Sequence, residues 1–520
     1  MHPGLHAETN PDKAAFILGG SGATVTYGEL DDRSRRLARA LHDRGLRAGD
    51  LVAIMMENND SYLPAVWAAQ RSGLYYTTVS PRLTAAEAAY ILNDAGAAAL
   101  VTSTAQAEVA TALVDLTPSV RARLAVGGRL AGHESFEEVV AGASPQPAGP
   151  ETEGRSMLYS SGTTGRPKGI RKPLPTVPLG TPKVDVILGV GQMLYDFDDT
   201  MVMLSPAPLY HAAPLWFSTA VTRAGGTVVI MEHFDPAQFL RLVERHRVTH
   251  TLVVPTMFVR LLRLGESERA AADVSSLRCV IHGAAPCPAP VKRQMIDWWG
   301  PIINEYYGST EGNGFTACTS AEWLARPGTV GQSLAGTIHV LDDDGSELPP
   351  GRPGTIYVED GPGFEYHNDP AKTAGAHNDQ GWSTLGDVGY LDEDGWLFLT
   401  DRKAFTIICG GVNVYPQEAE NALVSHPMVL DAAVFGIPDD DLGEVVHAVI
   451  QPVNIADAGP ALAEELLGWC RRHLAGYKCP RSIDFDPALP RDQSGKLYKA
   501  ALRDRYRHRQ RESLVEPGPQ

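Results

Sequence analysis

The stretch from Tyr159 to Ile170 holds residue types that can bind a phosphate group. Its three glycines, four Ser or Thr hydroxyls and two cations, Arg166 and Lys168, fall within a short segment. Glycine lets the main chain approach a ligand closely, while N–H groups, hydroxyls and cations stabilise an oxyanion. The spacing is not that of a Walker A loop. A flexible surface turn is the alternative, but the apolar residues 157–159 predict a strand that leads into the stretch, as is usual for phosphate-binding loops.

Two further stretches combine a carboxylate with glycines or aromatic residues. In residues 304–312, Tyr307 can stack on a purine, and Glu311 is a hard oxygen ligand suited to Mg²⁺ that bridges phosphates. In the glycine-containing stretch 381–390, Asp387 can accept hydrogen bonds from both hydroxyls of a ribose. For a single acidic residue, the alternative is a solvated surface side chain.

Three other segments present side chains that could take part in the same chemistry. His211 follows a predicted strand at 202–204 and several prolines, where a structural histidine is the alternative. Residues 282–286 bring small side chains to a surface, and a tight turn without a ligand is the alternative. Lys496 lies on a glycine-containing loop near the C-terminus, where an exposed lysine is ordinarily just solvated.

These segments, in this order along the chain, resemble the signature motifs of the adenylate-forming superfamily. That superfamily includes acyl-CoA synthetases, peptide-synthetase adenylation domains and luciferases. The resemblance extends from about Thr26 to Tyr506, and the glycine-rich stretch is its most specific part. It implies that a carboxylate attacks ATP at the α-phosphorus to give acyl-AMP and pyrophosphate, with Mg²⁺ neutralising charge. A small domain then rotates, and a thiol attacks the mixed anhydride.

The resemblance also implies a role for each motif residue. Lys496 stabilises the negative charge of the adenylation transition state, Thr310 meets the phosphate and the reacting carboxyl, and Glu311 binds the metal. His211 takes the position that gates the thiol channel. The residues implied to contact ATP or coenzyme A are Ser161, Gly162, Thr163, Thr164, Gly165, Lys168, Gly283, Ala284, Ala285, Tyr307, Asp387, Arg402, Gly410 and Gly411.

The periodicity of the chain predicts two kinds of folding unit. Thr26 and Glu29 form a capping-box pattern that predicts a helix to about residue 45. Predicted strands and helices then alternate, as in a parallel sheet covered on both faces. Short strands and turns at 331–389 predict a small antiparallel barrel or sheet.

The fold class that the resemblance implies is α/β. Residues 1–400 would form a large N-terminal domain of two α/β subdomains and a small β-barrel. Residues 401–404 would be a hinge, and residues 405–520 a small mobile α+β C-terminal domain that acts as a lid.

Two expectations concern the substrates. Residues 477–480, Tyr-Lys-Cys-Pro, resemble the Tyr-Lys-x-Pro of free-standing acyl-CoA ligases and favour coenzyme A as the thiol. The small residues at 283–285 and Gly308 favour a bulky, largely apolar carboxylic acid. The alternatives are an adenylating enzyme that loads a separate carrier protein, a luciferase-like oxygenase and a nucleotide-binding pseudoenzyme.

The predicted hinge departs from the pattern of the superfamily. The position two residues after Arg402 is usually Asp or Lys, but here it is Ala404, followed by Phe405. A charged side chain stays solvated in both poses of a swinging domain, and alanine cannot supply that balance. A second hypothesis is therefore an enzyme specialised for the thioester-forming half, which acts on a preformed acyl-adenylate.

The composition of the chain excludes several classes of protein. A chain of 520 residues is long enough for more than one domain, and a formal charge of −17 argues against nucleic acid as a partner. Six cysteines without metal-ligand spacing predict reduced thiols in a cytoplasmic protein. No signal-peptide pattern is evident, and no apolar run approaches the ~18 residues of a membrane span. The oligomeric state stays open, with a homodimer among the alternatives.

Overall fold

The chain folds into two units. The computed structural model describes residues 1–160, 167–409, 412–439, 441–491, 497–499 and 501–506. The first unit comprises Met1–Val253, Leu264–Ile281 and Phe364–Gly375. The second unit comprises Val254–Arg263, His282–Gly363 and Ala376–Gln520.

Strands and helices alternate along much of the chain. The strands are β1 (Ala14–Leu18), β2 (Thr24–Thr26), β3 (Leu51–Met55), β4 (Tyr75–Thr78), β5 (Ala97–Ser103), β6 (Ala122–Val126), β7 (Glu134–Ser135), β8 (Arg155–Ser156), β9 (Leu158–Ser160), β10 (Lys168–Ile170), β11 (Val202–Ser205), β12 (Thr227–Ile230), β13 (His250–Val253), β14 (Cys279–His282), β15 (Ile303–Gly308), β16 (Phe315–Cys318), β17 (Thr329–Ala335), β18 (Thr337–Leu341), β19 (Gly354–Glu359), β20 (Asp387–Leu391), β21 (Leu397–Arg402), β22 (Ile407–Cys409), β23 (Val412–Val414), β24 (Val429–Asp439), β25 (Gly443–Pro452) and β26 (Ser482–Phe485). The helices are α1 (Pro3–Thr9), α2 (Tyr27–Asp43), α3 (Tyr62–Arg71), α4 (Ala85–Asp94), α5 (Ala107–Leu116), α6 (Phe136–Gly142), α7 (Val186–Leu194), α8 (Ala212–Ala224), α9 (Pro236–His246), α10 (Pro255–Leu262), α11 (Glu266–Ala271), α12 (Ala289–Trp299), α13 (Ser320–Ala325), α14 (Pro370–Gly375), α15 (Pro416–Val424) and α16 (Pro460–His473). Within the described ranges, no helix is both long enough and apolar enough to span a membrane.

Mainly parallel sheets form the framework of the first unit. In one sheet the strand order is β7-β6-β5-β3-β4-β8, and every pair is parallel. In the other, β12 lies between β1 and β11 as their parallel neighbour, β11 also pairs with β13, and β2 is antiparallel to β1. Parallel strands require crossover connections, which explains the regular alternation with helices. The predicted α/β alternation is confirmed.

Local capping signals define where the helices of the first unit begin. At the start of α2, the side chain of Thr26 accepts the N–H of Glu29 at 3.2 Å, and the Glu29 carboxylate accepts the N–H of Thr26 at 2.8 Å. This is the capping box that the sequence predicts. A second capping box, between Thr84 and Glu87, begins α4. Each pairing satisfies N–H groups that have no partner inside the helix.

Antiparallel strands dominate the central part of the second unit. The chain of neighbours is β18-β19-β20-β21-β17-β16-β15, and each of these pairs is antiparallel. The sequence predicts a small antiparallel barrel or sheet at 331–389, and the strands in this region are antiparallel. Two consequences matter for chemistry: β20 and β21 lie side by side, and β15 ends beside the turn that leads into β16.

The C-terminal part of the second unit is an α+β assembly. Its strand order is β23-β22-β25-β24, with β26 added in parallel to β25. The helices α15 and α16 cover an apolar core that includes Leu423, Val434, Ile450 and Leu466. The mixture of strands and helices in this part is the α+β composition that the sequence predicts.

Candidate active site

Three of the predicted site residues meet at one carboxylate in the second unit. Asp387 begins β20, Arg402 ends β21, and the antiparallel register places these two residues opposite each other. Tyr307 lies on β15. Its phenol donates a hydrogen bond to Oδ2 of Asp387 at 2.7 Å, while Nε of Arg402 lies 2.9 Å from Oδ1. Both carboxylate oxygens of Asp387, whose side chain is only 11% exposed, are therefore held in fixed directions.

The charges of this cluster are fixed at neutral pH. Burial raises the pKa of the Tyr307 phenol well above its ordinary value, and the neighbouring Asp387 carboxylate acts in the same direction. The Asp387 carboxylate also raises the pKa of Arg402, to which Glu311 adds. Tyr307 is thus a neutral hydrogen-bond donor and Arg402 a permanent cation.

Glu311 lies close enough to act on the same cluster. It follows β15 in a turn where the hydroxyl of Ser309 accepts the N–H of Gly312 at 3.2 Å, and Gly312 has a φ of +71° that favours glycine. Glu311 is 8% exposed, and its charge raises the pKa values of Tyr307 and Arg402. Thr310 is half-buried in the same turn.

A single buried carboxylate is a suitable protein ligand for Mg²⁺. This ion is usually bound by one or two carboxylates together with substrate phosphates, and it rarely occupies an all-protein cage. Among the residues that the structure describes, no group of three or more His, Cys, Asp or Glu side chains could hold a metal ion. The oxygen donor of Glu311 therefore fits the ion that the sequence predicts, provided that phosphates complete the coordination.

Of the small residues at 283–285, Gly283 does not have the open space beside it that the sequence suggests. A Cβ added to Gly283 would lie 2.8 Å from Cε1 of Tyr306, so the tyrosine ring already fills the space next to Gly283. That ring stacks on Phe315, with centroids 5.7 Å apart and an interplanar angle of 18°. The inference that Gly283 leaves room for a substrate is wrong for this reason. Ala284 is exposed and adopts a left-handed φ of +69°.

The strands on either side of the predicted phosphate loop belong to the first unit. β9 and β10 pair in antiparallel fashion, with Ser160 opposite Lys168. Ser161, Gly162, Thr163, Thr164 and Gly165 lie outside the described residues. Lys168 lies inside them, and its ammonium group donates a hydrogen bond to the carboxylate of Asp369.

His211 also lies in the first unit. It precedes α8, and its N–H donates to the carbonyl of Pro208 at 3.2 Å. Its ring lies 4.2 Å from that of Tyr210, whose carbonyl accepts the hydroxyl of Thr78 at 2.8 Å. The proline-rich exit from β11 is thereby held against β4.

The remaining predicted residues fall near the C-terminus. Gly410, Gly411 and Lys496 lie outside the described residues. β22 and β23, which flank the two glycines, are paired in antiparallel fashion, and they expose Ile408 and Val412. This pair of strands therefore presents apolar side chains to the solvent.

Sequence reasoning missed a buried charged cluster formed by residues of β14, α12 and β15. Nζ of Lys292 lies 2.6 Å from Oε2 of Glu305, and Nε2 of His282 lies 3.5 Å from the same oxygen. Burial raises the pKa of Glu305 and lowers that of His282, while Lys292 opposes the effect on Glu305. A lysine within the apolar face of a helix was the available signal, since such a side chain needs a partner when buried.

Comparison with known proteins places these features in a family. The model of the AMP-binding enzyme family matches residues 5–364, and that of the AMP-binding enzyme C-terminal domain matches residues 418–496. The chain belongs to the AMP-binding enzyme family. This membership confirms the resemblance to the adenylate-forming superfamily and the prediction of an AMP-forming acid–thiol ligase.

Relatives of several kinds match nearly the whole chain. A feruloyl-CoA synthase from Amycolatopsis sp is 35% identical and covers 97% of this chain and 98% of its own. A fatty acid–[acyl-carrier-protein] ligase, ScoC from Streptomyces coeruleorubidus, is 32% identical over 96% of this chain and 95% of its own. The crystal structure of ATP-bound MatB from Rhodopseudomonas palustris superposes with a TM-score of 0.81 at 30% identity, covering 98% of this chain and 99% of MatB.

Proposed function

We propose that this enzyme converts a bulky, largely apolar carboxylic acid into its acyl-AMP and then transfers the acyl group to coenzyme A. In the first step a carboxylate oxygen forms a bond to the α-phosphorus of ATP, and pyrophosphate leaves. In the second step the sulfur of coenzyme A forms a bond to the acyl carbon, and AMP leaves. The observation that carries the proposal is the cluster of Tyr307, Asp387 and Arg402 beside Glu311.

Asp387 has the capacity to bind the ribose. An ionised carboxylate has about four acceptor sites, and Tyr307 and Arg402 use one on each oxygen. Acceptor sites remain for the two ribose hydroxyls, and the two existing contacts fix the direction in which they point. The ring of Tyr307 would then lie along the adenine, with Arg402 near the ribose.

Glu311 and Lys496 would both help to stabilise the negative charge of the phosphates. Glu311 would hold Mg²⁺, which neutralises phosphate charge when it is bound. Lys496 would approach the α-phosphate and the attacking carboxylate during adenylation only, with Thr310 as a hydroxyl donor to the same groups. A preorganised cation at the site of developing negative charge is among the strongest catalytic effects available to a protein.

The class of acid is inferred from small side chains and from one relative. Gly283 adds no space for the acid, because the ring of Tyr306 fills the volume beside it. Ala284 and Ala285 remain as the small side chains of the segment. The feruloyl-CoA synthase relative is named for an aromatic acyl group. Apolar pockets discriminate by about 1–3 kcal/mol per methylene, so we expect a graded preference for size.

Coenzyme A is the thiol that the C-terminal part of the chain favours. The Tyr-Lys-Cys-Pro segment at 477–480 is held in place because Nζ of Lys478 contacts both carboxylate oxygens of Glu418, at 2.8 and 2.6 Å. All six cysteines are free thiols, as we expect for a reaction that takes place in the cytoplasm. A carrier-protein thiol is the alternative, in view of the ScoC relative.

A second candidate function rests on the contacts of Phe405. The ammonium of Lys499 lies 5.4 Å from the centre of its ring and the guanidinium of Arg503 lies 6.0 Å away. Arg503 also donates to the carbonyl of Ala404 at 3.2 Å. These contacts would stabilise one conformation of the hinge, and an enzyme with a restrained hinge would adenylate poorly and work best on a preformed acyl-adenylate.

A screen of pyrophosphate release would test the proposed substrate. Aliphatic, aromatic and polycyclic acids are supplied with ATP and Mg²⁺, and each active acid is then tested for thioester formation with coenzyme A. We expect activity to rise with apolar size. A clear preference for acetate or for an amino acid would contradict the proposed acid class, and thioester formation only with a carrier protein would contradict coenzyme A.

A further inference from the structure

We propose that Asp369 and Asp94 are positioning residues that hold both strands flanking the predicted phosphate loop, and that Lys168 belongs to this anchor and does not act as a phosphate ligand. The inference rests on the proposed function, because it assumes that the loop between β9 and β10 binds ATP. All the residues of the anchor belong to the first unit.

Lys168 is the first residue of β10, and its ammonium group forms an ion pair with a carboxylate. Its ammonium donates to Oδ2 of Asp369, and Oδ1 of the same carboxylate accepts the N–H of Lys372 at 3.0 Å. The hydrogen bond with Asp369 raises the pKa of Lys168, and the hydrogen bond with Lys168 lowers the pKa of Asp369. The pair is therefore fully ionised at neutral pH, and the carboxylate is oriented from both sides.

The main chain next to Asp369 runs along β10. Ile170 forms an antiparallel bridge with Tyr366, and the N–H of His367 donates to the carbonyl of Gly169 at 2.8 Å. The Lys168–Asp369 pair thus closes a short ladder in which each residue of β10 has a partner in the segment 366–369. Displacing Asp369 would displace the strand that leaves the loop.

The other strand is held by Asp94, the last residue of α4. The phenol of Tyr159, on β9, donates to Oδ2 of Asp94 at 2.6 Å. The carbonyl of Asp94 lies 3.1 Å from Nε2 of His367 and 3.2 Å from Nδ2 of Asn368. Asp94 and the segment 366–369 therefore form one framework that fixes the strand entering the loop and the strand leaving it.

The role assigned to Lys168 differs from the one that the sequence suggests. A lysine that binds phosphate directly gains affinity when its competing carboxylate is removed. A lysine that positions the loop loses affinity in the same variant, because β10 is no longer held. The two roles therefore predict opposite effects for the neutral variant of Asp369.

The test compares Lys168→Met, Asp369→Asn and the exchanged pair Lys168→Asp/Asp369→Lys, with exposed Lys183→Met as the matched control. ATP affinity is measured by calorimetry, and KM and kcat by pyrophosphate release. We expect both single variants to weaken ATP binding by a similar factor of about five, the upper end of what a partly exposed ion pair contributes. The exchanged pair should recover most of the loss, with kcat little changed, and Lys183→Met should resemble the wild type.

Several results would contradict the proposal. Tighter or unchanged ATP binding in Asp369→Asn, together with weaker binding in Lys168→Met, would make Lys168 a direct phosphate ligand. An exchanged pair no better than the single variants would exclude a positional ion pair. A wild type that binds ATP and releases no pyrophosphate with any acid would contradict the proposed function alone, because the calorimetric comparison still decides the role of Lys168.

Discussion

Tyr307 and Asp387 are joined by a hydrogen bond of 2.7 Å although 80 residues separate them in the sequence. The bond connects β15 with β20. Arg402, on β21, forms an ion pair with the same carboxylate. Each of these residues could be a solvated surface side chain if judged alone. Their convergence on one buried carboxylate supports the ribose-binding role proposed for Asp387.

Asp387→Asn should lower kcat/KM for ATP by about tenfold or more. A hydrogen bond to a charged group contributes about 1.5–3 kcal/mol, and the amide also leaves Arg402 without its partner. Steady-state kinetics at saturating acid measure the effect, with exposed Asp379→Asn as the control. Equal kinetics in the two variants would remove Asp387 from the nucleotide site.

Glu311→Gln should raise the Mg²⁺ concentration that gives half-maximal pyrophosphate release. The amide oxygen is a weaker ligand for a hard cation than a carboxylate, while the ion would still be held by phosphates. The exposed Glu393→Gln serves as control. If the Mg²⁺ dependence stays that of the wild type while the rate falls, Glu311 acts on something other than the metal.

Lys496→Ala should lower acyl-adenylate formation by about 100-fold or more, the scale on which single preorganised groups act on a transition state. It should leave thioester formation from supplied acyl-AMP largely intact, because rotation of the small domain would withdraw Lys496 from the site before that step. The two half-reactions are measured separately, with exposed Arg481→Ala as control. Equal losses in both halves would contradict this role for Lys496.

The stability of the protein should fall as the pH is lowered below about 6.5. Burial lowers the pKa values of His250, His282 and His447, each of which is at most 3% exposed. The unfolded chain therefore binds protons that the folded chain does not, and the loss amounts to about 1.4 kcal/mol per pH unit for each proton. The free energy of unfolding in urea, measured at pH 7.5, 6.5 and 5.5 (about one unit apart), tests this prediction. A free energy of unfolding that rises toward pH 5.5 (about one unit below the ordinary histidine pKa) would show that these rings are charged in the folded state.

Ala404→Lys and Phe405→Ala test the hinge. If the contacts of Phe405 with Lys499 and Arg503 restrain the hinge, both variants should raise acid-dependent pyrophosphate release relative to acyl-AMP-to-CoA transfer. A bias of about 1.4 kcal/mol shifts two populations tenfold, so a severalfold change is within reach. Strong wild-type adenylation that neither variant alters would end the hypothesis of a specialised thioester-forming enzyme.

Local signals in the sequence were sufficient for the start of α2 and for the general alternation of strands and helices. The capping box of Thr26 and Glu29 depends on residues three positions apart, and the structure forms it as predicted. The order of the motifs was also sufficient for the family. Both kinds of information are contained in short segments and do not require knowledge of the sheet.

Contacts across long sequence separations were not predictable in the same way. The partner of Lys168 is Asp369, 201 residues away, and no local sequence pattern around either residue predicts the pair. Gly283 looked like an open space because its own side chain is absent, but the ring of Tyr306 fills that volume. In both cases the determining fact is which segments of the chain lie side by side, and the sequence alone did not specify it.

Detection of the acyl-AMP intermediate tests the central claim most directly. The enzyme is incubated with ATP, Mg²⁺ and the most active acid of the screen, and the products are identified by mass spectrometry before and after coenzyme A is added. The proposed reaction predicts acyl-AMP in the first sample and its conversion to acyl-CoA with release of AMP in the second. Release of ADP and phosphate in place of AMP and pyrophosphate, or acyl-AMP that coenzyme A does not consume, would contradict it.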